Sequence, residues 1–300
     1  MAARFALMKQ IAIAANGMTF QALSVGEGPL ALLLHGFPDT PHTFRNLMPA
    51  LADAGYRVVA PWMRGYAPTG VAPDGNYQVI SLAQDVVAIA GALAPAAGGG
   101  KVRIAGHDWG ATAACLASLL APEKIEKLCM MAIPHPMQFL MGLTGNYAQA
   151  KRSWYMFYFQ LPVAEGAVQA NDFELLERLW RDWSPGLTPP PDLLAEVRAS
   201  LADPANLEAA LGYYRALFSP AHQDAEQSAL QDSLAGGAPA CPTLALFGAE
   251  DGCIGAEVSE GMEAFFPAGL DRRVLPGAGH FLHLEAPDET ARALLAYLGS

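Results

Sequence analysis

The 300-residue chain predicts an α/β protein, a mostly parallel, doubly wound sheet carrying an inserted helical lid. Three observations predict it. Short β-type runs alternate with amphipathic or alanine-rich stretches. The alternation stops across one long aromatic-rich segment and then resumes. A glycine-flanked pentapeptide, Gly106-His107-Asp108-Trp109-Gly110, directly follows one of the apolar runs.

Taken in order, residues 5–15 are apolar enough to suggest a leader, but Lys9 and Gln10 interrupt the run, and residues 18–24 alternate as a strand does. Strands are expected over residues 30–34, 57–60, 102–105, 127–132, 243–247 and 272–275. Helices are expected over 43–54, 82–93, 112–120 and 287–298. Strand signals vanish between about Pro134 and Ala240. There Trp, Tyr, Phe, Met and Leu crowd into helix-like segments separated by proline joints such as Pro189-Pro190-Pro191. The expected division is therefore a core over 1–134, a helical lid over 135–238, and the rest of the core over 239–300.

Composition narrows the function classes. Eighteen Lys and Arg against 29 Asp and Glu give a net charge of −11, without any basic cluster. Nucleic acid and anionic membrane surfaces are therefore not expected partners. No uninterrupted apolar stretch reaches the roughly 18 residues that cross a bilayer. The four cysteines, Cys115, Cys129, Cys241 and Cys253, lack Cys-x-x-Cys spacing, so buried thiols in a reducing cytoplasm are expected.

In an open parallel sheet, ligands gather beyond the carboxyl ends of the strands. Four polar segments fall there: His35-Gly36-Phe37-Pro38, Asp108 within its pentapeptide, Gly248-Ala249-Glu250-Asp251, and Gly277-Ala278-Gly279-His280. Asp108 stands where a strand-to-helix nucleophile elbow often carries serine. A carboxylate there suits attack on saturated carbon, leaving an alkyl ester that water must cleave. An aspartate capping an ordinary turn is the alternative reading. His280 is the expected base for that water, and Asp251 the acid that orients it, with Glu250 its rival. The order nucleophile, acid, histidine supports the catalytic reading. His283 is the alternative base, disfavoured because it already approaches the last helix. His107 should point away from the elbow, and His135 is expected to hydrogen-bond the lid hinge. The backbone N–H groups of Phe37 and Trp109 are the expected oxyanion hole. Phe37-Pro38 is a candidate cis bond.

With those residues on the page, the chain resembles the epoxide hydrolases of the α/β-hydrolase fold over nearly its whole length. The carriers are His35-Gly36-Phe37-Pro38, Arg64-Gly65-Tyr66, the Asp108 pentapeptide, Gly248 with Asp251, and Gly279-His280-Phe281 with Glu285 and Pro287. The resemblance implies an aspartate nucleophile, a water-activating His-Asp pair and two lid tyrosines that grip the epoxide oxygen. Tyr155 and Tyr214 occupy the matching places. Phe157, Tyr158, Phe159 and Tyr213 then read as lid core. One departure is Pro61-Trp62-Met63, where many relatives carry an aspartate after the proline.

Phenols also have a physical warrant, because an epoxide leaves as a strongly basic alkoxide and needs a proton, whereas a halide does not. The expected function is hydrolysis of a small apolar epoxide by water, with no cofactor and no metal. A homodimer is compatible with it. Phe37, Trp109, Met156 and Phe281 are the expected substrate contacts, and Met141, Met156, Leu161 and Leu217 suggest an apolar ligand. Haloalkane dehalogenase is the rival reading, although such enzymes tend to place asparagine after the glycine where Phe37 stands. Fluoroacetate dehalogenases have arginine where Trp109 stands. A catalytically silent receptor homologue is the reading from a different class.

Overall fold

The computed structural model describes residues 8–299. An eight-stranded sheet in the order β1-β2-β4-β3-β5-β6-β7-β8 forms its centre. The strands are β1 (Lys9–Ala15), β2 (Met18–Val25), β3 (Leu30–Leu34), β4 (Arg57–Pro61), β5 (Val102–His107), β6 (Ile125–Met131), β7 (Thr243–Gly248) and β8 (Leu270–Leu275). From β4 to β8 all pairings are parallel. The central runs, such as Leu30–Leu34 and Thr243–Gly248, are buried at every residue. That is the reason they read as continuous apolar segments: helices cover both faces of a parallel sheet.

The leader-like run is instead a strand. β1 pairs antiparallel with β2 through Asn16-Gly17, whose φ values of 45° and 72° suit a tight hairpin turn. Residues 5–7 of that run lie outside the described residues. The helix expected over 43–54 is split into a 3-10 turn (Pro41–Arg45) and α1 (Leu47–Asp53). Pro49 explains the break, since its ring would clash with the carbonyl four residues earlier and it has no N–H to donate.

Helix α2 (Val79–Leu93) starts three residues earlier than its periodicity suggests, as does α3 (Trp109–Leu120). Together with the following turn, the stretch Val79–Ala97 is long and apolar enough to cross a membrane, with a mean hydropathy of 1.7. It is not an uninterrupted apolar stretch, because Gln84 and Asp85 fall within it. Its alanines and leucines raise the mean around Gln84 and Asp85, and half of the stretch is buried within the protein.

Between β6 and β7 lie α4 (Pro136–Gly145), α5 (Tyr147–Arg152), α6 (Trp154–Tyr158), α7 (Ala164–Trp183), α8 (Pro191–Leu201), α9 (Pro204–Phe218) and α10 (Ala225–Leu234). His135 joins the two ends of this segment. Its Nδ1 accepts from the Met137 N–H, and its Nε2–H donates to the Gly237 carbonyl at 3.0 Å. The chain closes with α11 (Leu282–Glu285) and α12 (Pro287–Gly299).

Candidate active site

The four polar segments meet at the carboxyl ends of β3, β5, β7 and β8, as the alternation of strands and helices requires. Asp108 takes φ 53° and ψ −124° between β5 and α3. A non-glycine residue rarely adopts this backbone, and it turns the carboxylate out of the strand-helix corner. Only small neighbours allow it. A Cβ on Gly110 would stand 2.1 Å from the Leu34 carbonyl oxygen, and one on Gly36 would stand 2.3 Å from the Asp108 carboxylate. The carboxylate does not cap α3. Its Oδ1 accepts instead from the Phe37 N–H at 2.8 Å.

His280 Nδ1 lies 2.9 Å from Asp251 Oδ2, so Asp251 and not Glu250 holds the ring; Glu250 is exposed. Asp251 Oδ1 also accepts from the N–H groups of Cys253 and Ile254, which fixes the carboxylate. The other ring atom, His280 Nε2, is buried without a hydrogen-bond partner among the described residues and stands 3.7 Å from Asp108 Oδ2. Burial favours the neutral imidazole, but Cys253, Asp251 and Asp108 outweigh it and hold the His280 pKa well above its ordinary value. For Asp108, burial works toward protonation, yet the pairing with His280 wins and lowers its pKa.

The surrounding loops are braced by hydrogen bonds that local sequence does not reveal. His35 Nδ1–H donates to the Gly36 carbonyl while Nε2 accepts from the Met63 N–H. Burial pulls the His35 pKa down to about 4, so the neutral ring clamps the Phe37 loop to the segment after β4. Backbone contacts thus support the Pro61-Trp62-Met63 departure. Glu285 Oε2 accepts from Ser184 Oγ and the Gly279 N–H, and Ser184 Oγ accepts from the Phe281 N–H. His107 points away from the elbow, as expected, and its Nε2–H donates to the His280 carbonyl at 3.0 Å.

Tyr155 and Tyr214 are both buried, with ring centroids 5.7 Å apart, on separate helices α6 and α9. The Tyr214 hydroxyl has no partner among the described residues; the Tyr155 hydroxyl lies 3.2 Å from Cys253 Sγ. Burial raises both phenol pKa values well above the ordinary value. A cavity of about 120 Å³ begins at Asp108, Trp109, Tyr155, Met156 and Tyr214 and is walled mainly by apolar side chains. Trp109 is the first residue of α3, where helix geometry leaves backbone N–H groups without intrahelical partners. Phe37-Pro38 is cis.

Several expected contacts are corrected. Phe281 is absent from the cavity wall: its ring stacks on Trp180 at 4.0 Å, held in the core by the bond to Ser184. Phe37 reaches Asp108 through its N–H, while its ring packs against Phe159 and Tyr214. Met141 and Leu161 are exposed, at 62% and 46%, so only Met156 and Leu217 of the four apolar residues face the cavity. Phe157 is likewise exposed and stacks on Phe218 at 5.4 Å, because a five-residue helix turns one side outward. Phe159 and Tyr213 are buried as expected, and Tyr158 is half-buried.

Two further residues belong to this neighbourhood: Cys253, expected only as a buried thiol, and Asp39, which the sequence motifs do not single out. Cys253 shares the Tyr155 hydroxyl and lies beside Asp251 and His280; all four cysteines are free and buried. Asp39, adjoining the Phe37-Pro38 bond, was legible as a polar residue in the same loop. Its Oδ2, His107 Nδ1 and His283 Nδ1 are buried and unpartnered among the described residues, and the three side chains bring ligand atoms within 4.8 Å of one another. Burial pushes the Asp39 pKa up to about 8 and pulls that of His107 down to about 3. His283 Nε2 meets Thr43 Oγ1 at 2.5 Å rather than Asp108. Such a set has cation-ligand residue types, as do Asp251, Cys253 and His280, although the latter atoms are already committed to one another.

Residues 29–287 match the family of the alpha/beta hydrolase fold. The chain is 30% identical over 294 residues to an AB hydrolase superfamily protein of Bacillus subtilis, covering 94% of this chain and 95% of that one. It is also 30% identical over 296 residues to epoxide hydrolase 4 of Homo sapiens, covering 94% and 76%. Among solved structures, a Bacillus megaterium epoxide hydrolase in complex with an inhibitor superposes with a TM-score of 0.80 at 25% identity, covering 97% of this chain and all of that one (100%).

Proposed function

This chain belongs to the epoxide hydrolases of the α/β-hydrolase fold, and on that premise we propose that it converts an apolar epoxide to a vicinal diol through an alkyl ester on Asp108. The observation that carries the reading is the Asp108 carboxylate itself. It is presented by a strained elbow, accepts no helix-capping bond, and faces the unpartnered Nε2 of His280 beneath two buried tyrosines.

In the first half, an Asp108 oxygen attacks a ring carbon, the carbon-oxygen bond of the epoxide breaks, and a phenol of Tyr155 or Tyr214 gives its proton to the departing alkoxide. In the second half, His280 takes a proton from water as the water oxygen adds to the ester carbonyl carbon. The Phe37 and Trp109 N–H groups stabilise the oxyanion. Collapse expels the diol oxygen, which takes the proton from His280. The remaining acid proton of Asp108 returns to the tyrosinate, so epoxide and water account for every atom of the diol. The helical segment 135–238 acts as a lid that supplies the tyrosines and excludes bulk water. We propose a cytoplasmic location, with which four free, buried thiols are compatible.

A single turnover by excess enzyme in oxygen-18 water tests the ester. Unlabelled diol and label in the peptide containing Asp108 support it; labelled diol on the first turnover means direct attack by water. In His280→Gln, intact-mass spectrometry under saturating epoxide should find a stalled adduct of one substrate mass. A halide-release assay on haloalkanes run beside the epoxide panel separates the dehalogenase reading.

A further inference from the structure

The apolar wall of the cavity runs from Asp108 along helix α3. Thr112, Leu116 and Leu119 line it from one face of α3, opposed by Leu140 of α4, Leu217 of α9 and Leu234 of α10. From Thr112 to Leu119 this face runs about 10 Å along the helix axis. The wall ends at Ala235 and Gly236, both exposed, so the passage is also a mouth to solvent.

Around Asp108, His280 and the two tyrosines pack rings that do not line this cavity: Phe37, Phe159, Trp180 and Trp183. Phe37 packs edge-on against Phe159 at 5.4 Å and Tyr214 at 5.3 Å; Trp183 lies 4.8 Å from Tyr155 and 5.2 Å from His280. Trp180 is pinned there by its indole N–H on the Pro38 carbonyl at 2.9 Å. All of these side chains are fully buried. Close-packed rings yield space only by leaving their rotamers or shifting backbone.

From this geometry, and resting on the epoxide-hydrolase reading above, we infer that the site takes terminal epoxides bearing a single linear apolar arm. The arm lies along α3 toward Gly236. Epoxides substituted on both ring carbons place their second group against the Phe37-Phe159-Trp183 wall. Leu119 sets how far an arm gains by burial, and Phe159 sets how large a second substituent the site accepts.

The test is a series of 1,2-epoxyalkanes of increasing length set beside internal epoxides of equal carbon number. For terminal substrates kcat/KM should rise by about fourfold per added methylene until the arm reaches the mouth, then level. Internal isomers should be slower by about tenfold or more. Leu119→Trp should lower the ratio of long-arm to short-arm kcat/KM, and Phe159→Leu should raise the internal-to-terminal ratio. A flat chain-length series, or equal rates for internal and terminal isomers, overturns the inference. Failure to hydrolyse any epoxide would overturn the activity instead, and thermal stabilisation by 1,2-alkanediols then decides the arm separately. Stabilisation that grows with chain length supports it; a flat series refutes it.

Discussion

The 3.7 Å separation between His280 Nε2 and Asp108 Oδ2 makes the basicity of the histidine depend on whether Asp108 is charged. Two unit charges at that distance interact by about 4 kcal/mol at an effective dielectric of about 20. An alkyl ester on Asp108 is neutral, so its formation should lower the proton affinity of the imidazole by roughly a thousandfold. Charged Asp108 helps to hold the His280 pKa above its ordinary value, so on the proposed mechanism ester formation should favour the neutral ring that can take a proton from water. Asp108→Asn reproduces the neutral form in nearly the same shape. An NMR titration of the His280 ring in both proteins reads the effect directly, and the variant should lose its ring proton at markedly lower pH. The stability linkage follows in sign. A histidine whose folded pKa is raised contributes stability below its unfolded value near 6.5 and loses it as pH climbs through the folded value. In Asp108→Asn that loss should move to lower pH. Coincident titrations would mean that Asp251 alone, at 2.9 Å, sets the ring, and the coupling between the two half-reactions would be wrong.

Three further outcomes follow from named contacts. Replacing Tyr155 or Tyr214 singly with Phe should slow single-turnover epoxide opening by about tenfold to a hundredfold, and the double change should cost more; wild-type rates in the double variant would remove both from the chemistry. Asp39 holds a proton in the fold that the unfolded chain has released between about pH 4 and its folded value of about 8, so it costs stability increasingly as pH rises through that window. Asp39→Asn should therefore gain thermal midpoint relative to wild type between pH 5 and pH 9. Asp85 pairs with the buried guanidinium of Arg64 through two contacts of 2.6 Å, so Asp85→Ala should cost about 3–5 kcal/mol, read as a lowered calorimetric midpoint of several degrees.

The sequence by itself determined what local stereochemistry and short-range pattern can specify. Apolar runs such as Leu30–Leu34 and Thr243–Gly248 are strands because no partly exposed element could carry them. Gly106 and Gly110 around Asp108 announce a turn that only small residues tolerate, and the spacing of the polar segments after successive strands brings Asp108, Asp251 and His280 to one rim. Asn16-Gly17 carries a hairpin signal of the same local kind, beside the leader-like composition that precedes it. Only the tertiary structure decided contacts between residues distant in the chain. It chose Asp251 over Glu250, set Cys253 against Tyr155, and gathered Asp39, His107 and His283. It turned Phe281 into a core ring and Phe157 outward, and it lined the cavity along α3 while Phe37 and Phe159 packed into rings outside that wall. Helical periodicity says that a side chain lies on a face; which neighbour covers that face depends on how separate elements pack, and no local pattern encodes that.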